Sequence, residues 1–183
     1  SQGSGPLNDW VQAHLRILAA EGIQVYCVTG PDKGAASVVE HPAAAGGTVK
    51  SIFVPFCDDV ATLLSAADLV VSRAGAGTIA EIIRCATPAI LVPYPHAADD
   101  HQRANAEFFE RQGGGFVVDQ SRLDRMQNEV LDTIFNDWLL RRFRANLERM
   151  DRENPLHLML SDLEELARST LPPPTSLERP ASA

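Results

Sequence analysis

Short apolar runs alternate with amphipathic segments along the first two thirds of the chain. The apolar runs are strand-sized and continuous, which is typical of strands buried on both faces; they lie at 23–30, 49–56, 68–72, 88–94 and 115–119. Between most of them, apolar residues recur at helical spacing. The pattern therefore predicts an α/β fold with a doubly wound parallel sheet, whose ligands bind at the carboxyl ends of the strands.

Caps and breakers predict where the helices begin and end. The first helix is predicted over about 8–21, with Asn8 or Asp9 as N-cap and Gly22 after its end. A weaker helix is predicted over 33–44 and ended by Pro42, and Asp58 is predicted to cap the next one. The remaining helices among the strands are predicted at 58–67, 77–86 and 101–112.

The last third of the chain has helical patterns and no further strand pattern. Helices are predicted at 123–135, 138–150 and 156–171, and the proline-rich end at 172–183 predicts a flexible tail. We therefore expect one domain over 1–171, with 121–171 as its helical C-terminal part. The chain opens on a glycine turn with no strand before it, so we expect it to be part of a larger protein.

Composition and charge narrow the function classes. The 16 basic and 24 acidic side chains give a net charge of −8, with no basic block of the kind that binds nucleic acid. An anionic ligand must therefore be held by local groups. Three widely spaced cysteines without a CxxC pair indicate neither a disulfide framework nor a zinc site, and favour a reducing cytosol. The apolar runs are far too short to span a bilayer.

A glycine turn at 72–78 joins a predicted strand to a predicted helix. Gly75 and Gly77 lack Cβ, so they permit positive φ and close approach of a ligand to the helix N–H groups, which suits a diphosphate. Thr78 could add a hydroxyl donor, and Glu81 could accept hydrogen bonds from ribose hydroxyls. The alternative is a tight strand-to-helix connection with Glu81 as a solvated acid.

A second polar loop follows the next strand, after Pro93 and Pro95. Its polar residues should meet the glycine turn at the same end of the sheet; they are His96, Asp99, Asp100, His101, Gln102 and Asn105. Gln102 and Asn105 are three residues apart on a helix, so both amides could reach the hydroxyls of one sugar.

The same loop has two other interpretations. His96, Asp99 and His101 could instead suggest a metal site, but their spacing matches no established ligand pattern. Asp99 and Asp100 are also predicted to cap the following helix, alongside any other role.

Two more loops complete the predicted crevice. Phe56 and Cys57 follow a strand and could form a wall and backbone contacts for a planar base, although Phe56 alone could equally be a core residue. Residues 1–4 form a glycine turn that could add a lip facing the phosphates or the sugar.

These segments together resemble the C-terminal half of the MurG family, which transfers N-acetylglucosamine from its UDP donor to lipid I, making lipid II in peptidoglycan biosynthesis. The matching motifs are SQG at 1–3, VPFCDDVATLLSAADLVVSRAGAGTIAEI at 54–82 and TPAILVPYPHAADDHQRANA at 87–106. The resemblance extends to about Asp119. It implies a Rossmann-like, donor-binding C-terminal half of a GT-B glycosyltransferase.

The resemblance also implies roles for individual residues. Ser1 and Gln2 would approach the diphosphate or the uridine, and the Cys57 backbone would bind the uracil edge. The phosphate-facing helix start would comprise Ala76, Gly77, Thr78 and Ile79. Glu81 would hold the ribose, and Gln102 and Asn105 the sugar. The family usually has a bulky aliphatic residue at the position of Gly77 and often glutamine at that of Pro95.

We expect no metal and no cofactor, because a helix N-terminus and turn amides can stabilise a diphosphate leaving group without an obligatory divalent ion. No residue of this segment is a persuasive catalytic base. The base, the lipid I acceptor and peripheral contact with the cytoplasmic face of the plasma membrane would belong to an N-terminal domain that this chain lacks. Two alternatives are the donor domain of another GT-B UDP-sugar transferase and a non-catalytic nucleotide-binding Rossmann module. A dinucleotide oxidoreductase is disfavoured, because no G-x-G-x-x-G follows the first strand.

Overall fold

The computed structural model describes residues 3–153, 161, 165 and 166. The strands are β1 (Tyr26–Val28), β2 (Ser37–Pro42), β3 (Thr48–Val54), β4 (Val70–Ser72), β5 (Ala89–Leu91) and β6 (Gly115–Val117). The helices are α1 (Gly5–Ala20), α2 (Val60–Ala66), α3 (Ala76–Arg84), α4 (His101–Arg111), α5 (Met126–Ile134) and α6 (Asp137–Arg152). Short 3-10 helices span Ala98–Asp100 and Gln120–Arg125. Residues Ser1–Asp151 form one compact unit and Arg152–Ala183 a second.

The strands form two three-stranded sheets. One is fully parallel in the order β4, β5, β6, with Ile90 opposite both Val71 and Phe116. In the other, β3 lies between β1, to which it is parallel, and β2, to which it is antiparallel. The five predicted strands are therefore present, each shorter than predicted at one end or at both, although β3 begins one residue earlier, at Thr48.

Side chains of the strand β5 alternate between two helix layers. Ala89 and Leu91 belong to the apolar cluster that includes residues of α2, α3, α4 and α6. Ile90 and Val92 belong to the cluster formed with residues of α1 and α5. Because successive strand residues point to opposite faces, helices cover both faces of this sheet. The predicted doubly wound α/β fold is confirmed.

Helix α1 packs against residues of both sheets. Leu15 belongs to the cluster with Cys27 of β1 and Phe53 of β3, while Trp10 and Leu18 belong to the cluster that contains Ile90 of β5. Burial raises the pKa of the Cys27 thiol, because an apolar environment disfavours the thiolate.

The predicted helix over 33–44 is wrong. Half of this segment is the strand β2, which pairs with β3 from Ser37 opposite Phe53 to Pro42 opposite Thr48. The β-branched Val38 and Val39 favour extended backbone. Gly46 and Gly47, with φ of 96° and 85°, supply the turn that lets the chain reverse into β3.

Several predicted helix boundaries also need correction. Helix α1 begins at Gly5 after Ser4, not near Asn8, because Pro6 suits the first turn of a helix. Helix α2 is capped by Asp59 rather than Asp58. The predicted helix over 123–135 is divided, with a 3-10 helix preceding α5. Apart from 161, 165 and 166, the predicted helix at 156–171 and tail at 172–183 lie outside the described residues.

Candidate functional site

The amino terminus of α3 lies at the carboxyl end of β4. The N-cap residue Gly75 has no side chain to accept hydrogen bonds, so the N–H groups of Ala76, Gly77 and Thr78 have no partner within the helix. The N–H of Ile79 donates to the Gly75 carbonyl at 3.0 Å, and its side chain is buried in the core. The open end of α3 thus offers three amide donors and the positive end of the helix dipole.

The glycines of this turn do not adopt the positive φ that the lack of a Cβ would allow them. Gly75 has φ of −67°, and Gly77 lies inside α3 without a positive φ. A Cβ added at Gly77 would meet no atom within 4 Å, and one at Gly75 would meet the Thr78 hydroxyl at 3.9 Å. The packing of the described residues therefore requires neither glycine, and the space beside Gly77 is open.

Helix α4 brings one amide side chain to the glycine turn and a second to the loop after β5. The Nδ2 group of Asn105 donates to the Ala74 carbonyl at 3.1 Å, and Oε1 of Gln102 accepts from the Tyr94 N–H at 3.0 Å. Among the described residues, the Gln102 Nε2 group and the Asn105 Oδ1 atom make no further hydrogen bond. One acceptor is thus available beside the glycine turn and one donor at the loop after β5.

Sequence reasoning missed Arg73, which immediately precedes the glycine turn. Its guanidinium donates to the carbonyls of Val92 at 3.1 Å and Pro93 at 3.2 Å, and to Oε1 of Gln120 at 2.5 Å. It also lies 5.5 Å from the centre of the Tyr94 ring. Partial burial lowers the pKa of Arg73, with the nearby Tyr94 opposing that shift. The signal in the sequence was a charged residue between an apolar strand and a glycine turn.

The loop between β5 and α4 departs from the capping prediction. Asp100 occupies the N-cap position of α4, but its side chain makes no capping hydrogen bond. Asp99 and Asp100 have φ of 49° and 52°, the left-handed region that aspartate tolerates better than most residues. The Asp100 carboxylate lies 3.6 Å from Arg103, which also forms an ion pair with Asp119.

A cavity of about 310 Å³ lies beside this loop; it is lined by Pro93, Tyr94, Pro95, Asp100, Arg103, Asp119, Gln120 and Ser121. A larger cavity of about 410 Å³ is formed mainly by α4, β6 and α6, away from the glycine turn. Within the part of the chain that the structure describes, no three His, Cys, Asp or Glu side chains are grouped as a metal site would require. Nor does any helix there have the length and apolar character to cross a membrane.

The residues before α1 pack against the end of β1. Gly3 has φ of 67°, and a Cβ at this position would lie 1.9 Å from the Thr29 carbonyl oxygen. The same carbonyl accepts a hydrogen bond from Asn8 at 2.9 Å. The N-terminal glycine turn thus lies beside the end of β1. Its role as a lip of the crevice stays a prediction, since Ser1 and Gln2 lie outside the described residues.

The loop after β3 approaches α3 through α2. Phe56 is 60% exposed, so the alternative that it is a core residue is wrong. Cys57 is partly buried, and α2 begins three residues later at Val60. Val60 packs against the cluster that contains Ile79 of α3, which places this loop near the glycine turn.

Glu81 lies on the exposed surface of α3. Among the described residues, its carboxylate makes no hydrogen bond or ion pair. It is therefore available to a ligand, and equally to solvent. Its proposed contact with ribose stays a prediction.

Comparison with known proteins identifies the region that the chain matches. The model of the glycosyltransferase family 28 C-terminal domain matches residues 1–153. An Opitutus terrae protein named UDP-N-acetylglucosamine–N-acetylmuramyl-(pentapeptide) pyrophosphoryl-undecaprenol N-acetylglucosamine transferase is 63% identical over 169 residues, which are 92% of this chain and 45% of that protein. A Prochlorococcus marinus protein of the same name is 38% identical over 91% of this chain and 43% of its own length.

A solved structure agrees with these matches. The crystal structure of MurG from Acinetobacter baumannii superimposes with a TM-score of 0.64 and 28% identity, covering 81% of this chain and 43% of that one. The chain thus spans less than half the length of the curated relatives described above.

Proposed function

The chain belongs to the family of glycosyltransferase family 28 C-terminal domains, and from this premise we propose that it is the donor-binding half of an N-acetylglucosaminyltransferase. Its fold is the Rossmann-like C-terminal half of a GT-B enzyme. The proposed reaction of the whole protein transfers N-acetylglucosamine from its UDP donor to lipid I, giving lipid II. The Opitutus terrae relative, which is named as an N-acetylglucosamine transferase, is about twice as long as the region that this chain matches.

The open amino terminus of α3 is the observation that carries this proposal. Three N–H groups without helical partners and the positive end of the dipole suit the diphosphate of a nucleotide sugar. With a net charge of −8, the chain as a whole does not attract anions, so a local device of this kind is needed. The same groups would stabilise the negative charge that develops on UDP as it leaves.

The polar groups around α3 suit the two sugar rings. We assign the Gln102 Nε2 donor and the Asn105 Oδ1 acceptor to hydroxyls of N-acetylglucosamine. The Glu81 carboxylate can accept hydrogen bonds from both ribose hydroxyls. The side chain and amide of Ile79 are already engaged in the fold, so we leave Ile79 out of the direct contacts.

We assign the uracil to the loop after β3. The exposed ring of Phe56 offers an apolar wall, and the backbone at Cys57 offers a donor and an acceptor for the uracil edge. Ser1 and Gln2 would close the donor site from the end of β1, where Gly3 anchors the turn.

In the proposed reaction, an acceptor hydroxyl attacks the anomeric carbon while the bond from that carbon to the diphosphate oxygen breaks. The bonding electrons go to UDP, whose charge the α3 amides stabilise, so a divalent ion is not obligatory. The hydroxyl proton goes to a base, which we place in the acceptor-binding half of the whole protein together with the lipid I site. Peripheral contact with the cytoplasmic face of the membrane belongs to that half in this proposal.

Donor competition tests the proposal. UDP-N-acetylglucosamine should raise the melting temperature of the chain more than UDP-glucose or UDP-galactose at equal concentration, with UDP alone giving a smaller rise. Preference for another sugar would favour a different GT-B transferase, and equal protection by UDP and all UDP-sugars would favour a nucleotide-binding module without catalysis. If UDP leaves the backbone amide signals of Ala76–Thr78 unchanged in an NMR titration, the donor site is not here.

A further inference from the structure

Arg73 lies next to the glycine turn in the sequence, a position where an arginine could be expected to bind phosphate. Its terminal nitrogens instead have partners within the chain. One donates to the Val92 and Pro93 carbonyls and the other to the Gln120 side chain. These bonds direct the guanidinium toward the ends of β5 and β6.

The contacts of Arg73 join three successive strand ends. Arg73 follows β4, its carbonyl partners follow β5, and Gln120 follows β6. Burial of part of this charge has a cost, which the two carbonyls and the side-chain amide offset because all three accept hydrogen bonds. The guanidinium therefore fixes the position of the backbone where the chain leaves β5.

Tyr94, which follows Pro93, links this part of the backbone to the proposed sugar site. Tyr94 stacks its ring beneath the guanidinium, and its N–H donates to Oε1 of Gln102. A backbone N–H can pair with the oxygen of a side-chain amide but not with its NH2 group. The Tyr94 N–H thus fixes which end of the Gln102 amide faces outward, and that end is the Nε2 donor.

We propose that Arg73 is a positioning residue for the donor sugar: it holds the backbone at Pro93 and Tyr94, and so orients the Gln102 amide, without binding the diphosphate itself. This inference rests on the proposed function for the identity of the ligand. Its structural part, the connection from Arg73 through Tyr94 to Gln102, can be tested without any ligand.

The binding test compares the affinities of the 183-residue chain for UDP and UDP-N-acetylglucosamine by calorimetry. In both Arg73→Lys and Arg73→Gln, affinity for UDP should stay within about twofold of the unmodified chain. The advantage of UDP-N-acetylglucosamine over UDP should fall about fivefold, the size expected for one misplaced neutral hydrogen bond. Arg84→Gln is the matched control, because Arg84 lies at the other end of α3 and pairs with Asp151 on the surface.

The lysine variant separates positioning from phosphate binding. Lysine keeps the positive charge but cannot reproduce the planar fork that reaches two carbonyls and an amide. If Arg73→Lys retains UDP affinity while Arg73→Gln loses tenfold or more, Arg73 binds phosphate and the proposal is overturned. Should Arg73→Gln fail to fold, Gln120→Ala removes one partner of the guanidinium and should reduce the sugar advantage in the same direction.

A double-mutant cycle tests whether Arg73 acts through Gln102. Gln102→Ala should itself reduce the advantage of UDP-N-acetylglucosamine over UDP. Adding Arg73→Gln to that variant should reduce it no further, because the amide to be oriented is gone. Additive losses would overturn the inference.

NMR spectra of the amide groups test the connection from Arg73 to Gln102 without any ligand. In Arg73→Lys, the Tyr94 backbone signal and the Gln102 side-chain NH2 signals should shift, while those of Ala76–Thr78 stay in place. A folded variant with unshifted Tyr94 and Gln102 signals would overturn the positioning role. If the unmodified chain binds neither UDP nor UDP-N-acetylglucosamine, the proposed function fails. The NMR comparison without ligand still decides whether Arg73 positions Tyr94 and Gln102.

Discussion

At the residue scale, the glycines divide into those that the packing requires and those that it does not. A Cβ at Gly115 would lie 1.8 Å from the Ala89 carbonyl oxygen, and one at Gly3 would lie equally impossibly close to Thr29. Gly77 has free space around it and ordinary helical backbone. The sequence alone does not distinguish these cases. Gly77 makes no use of the positive φ that a glycine allows, and the close approach of a ligand to its backbone stays a prediction.

This difference predicts opposite effects for one added methyl group. Gly77→Ala should stabilise the chain by about 0.5 kcal/mol, because alanine restricts the unfolded chain and nothing in the folded one obstructs it. Gly3→Ala should destabilise it by more than about 1 kcal/mol, because the methyl group meets backbone and φ is positive. Urea unfolding followed by circular dichroism measures both. A stabilised Gly3→Ala variant would contradict this account of the turn.

At the scale of the element, the interiors of most strands and helices could be predicted, with β2 as the exception, while their ends could not. Continuous apolar runs identified β5 and β6, because both of their faces are buried. The strand β2 was predicted as a helix, since its Val38 and Val39 are partly exposed and depend on pairing with β3, which no local pattern reveals. The cap of α2 was assigned to the wrong residue because Asp58 and Asp59 are adjacent. Only the backbone geometry shows which of the two caps the helix.

The cap of α2 makes a pH-dependent prediction. The Thr62 N–H donates to the Asp59 carboxylate at 2.9 Å, and hydrogen bonds from Thr62 lower the pKa of Asp59. A lowered folded pKa means that the stabilisation is fully present above the unfolded value of about 3.9 and is lost as pH falls through the folded value. Asp59→Ala should therefore melt below the unmodified chain at pH 7, and the difference should shrink below about pH 4.

Two variants serve as controls for that experiment. Asp58→Ala removes a neighbouring carboxylate that caps no helix, so it should leave the melting temperature nearly unchanged at either pH. Asp59→Asn retains an oxygen acceptor, and its melting temperature should therefore depend less on pH in the acid range. A deficit of Asp59→Ala that persists unchanged at pH 3 would show that the carboxylate charge plays no part.

At the scale of the whole molecule, the convergence of loops could be predicted from strand order alone. Parallel strands place their carboxyl ends at one edge, so the glycine turn and the loop before α4 had to meet, and the bond from Asn105 to Ala74 shows that they do. The hydrogen bonds by which Arg73 holds the strand ends together could not be predicted, because they join three loops that are distant in sequence. The base that accepts the proton belongs, in our proposal, to the other half of the whole protein, so this chain does not identify it.

This chain should consequently bind the donor without catalysing sugar transfer. We predict that the 183-residue chain binds UDP-N-acetylglucosamine but transfers no sugar to lipid I, because the proposed base and acceptor site belong to the other half of the enzyme. Incorporation of radiolabelled N-acetylglucosamine into lipid II measures the transfer, with a full-length relative as positive control. Detectable transfer by this chain alone would contradict the division of roles.

The strand β5 and Val92, the residue after it, supply side chains to both helix layers: Ala89 and Leu91 on one face and Ile90 and Val92 on the other. A change of volume at any of these residues displaces neighbours in its own layer and shifts the backbone that the opposite layer contacts. Directed evolution toward a new donor sugar should accordingly accept replacements in the loops after the strands and at Gly77. It should reject nearly all of them along β5, except as compensating pairs.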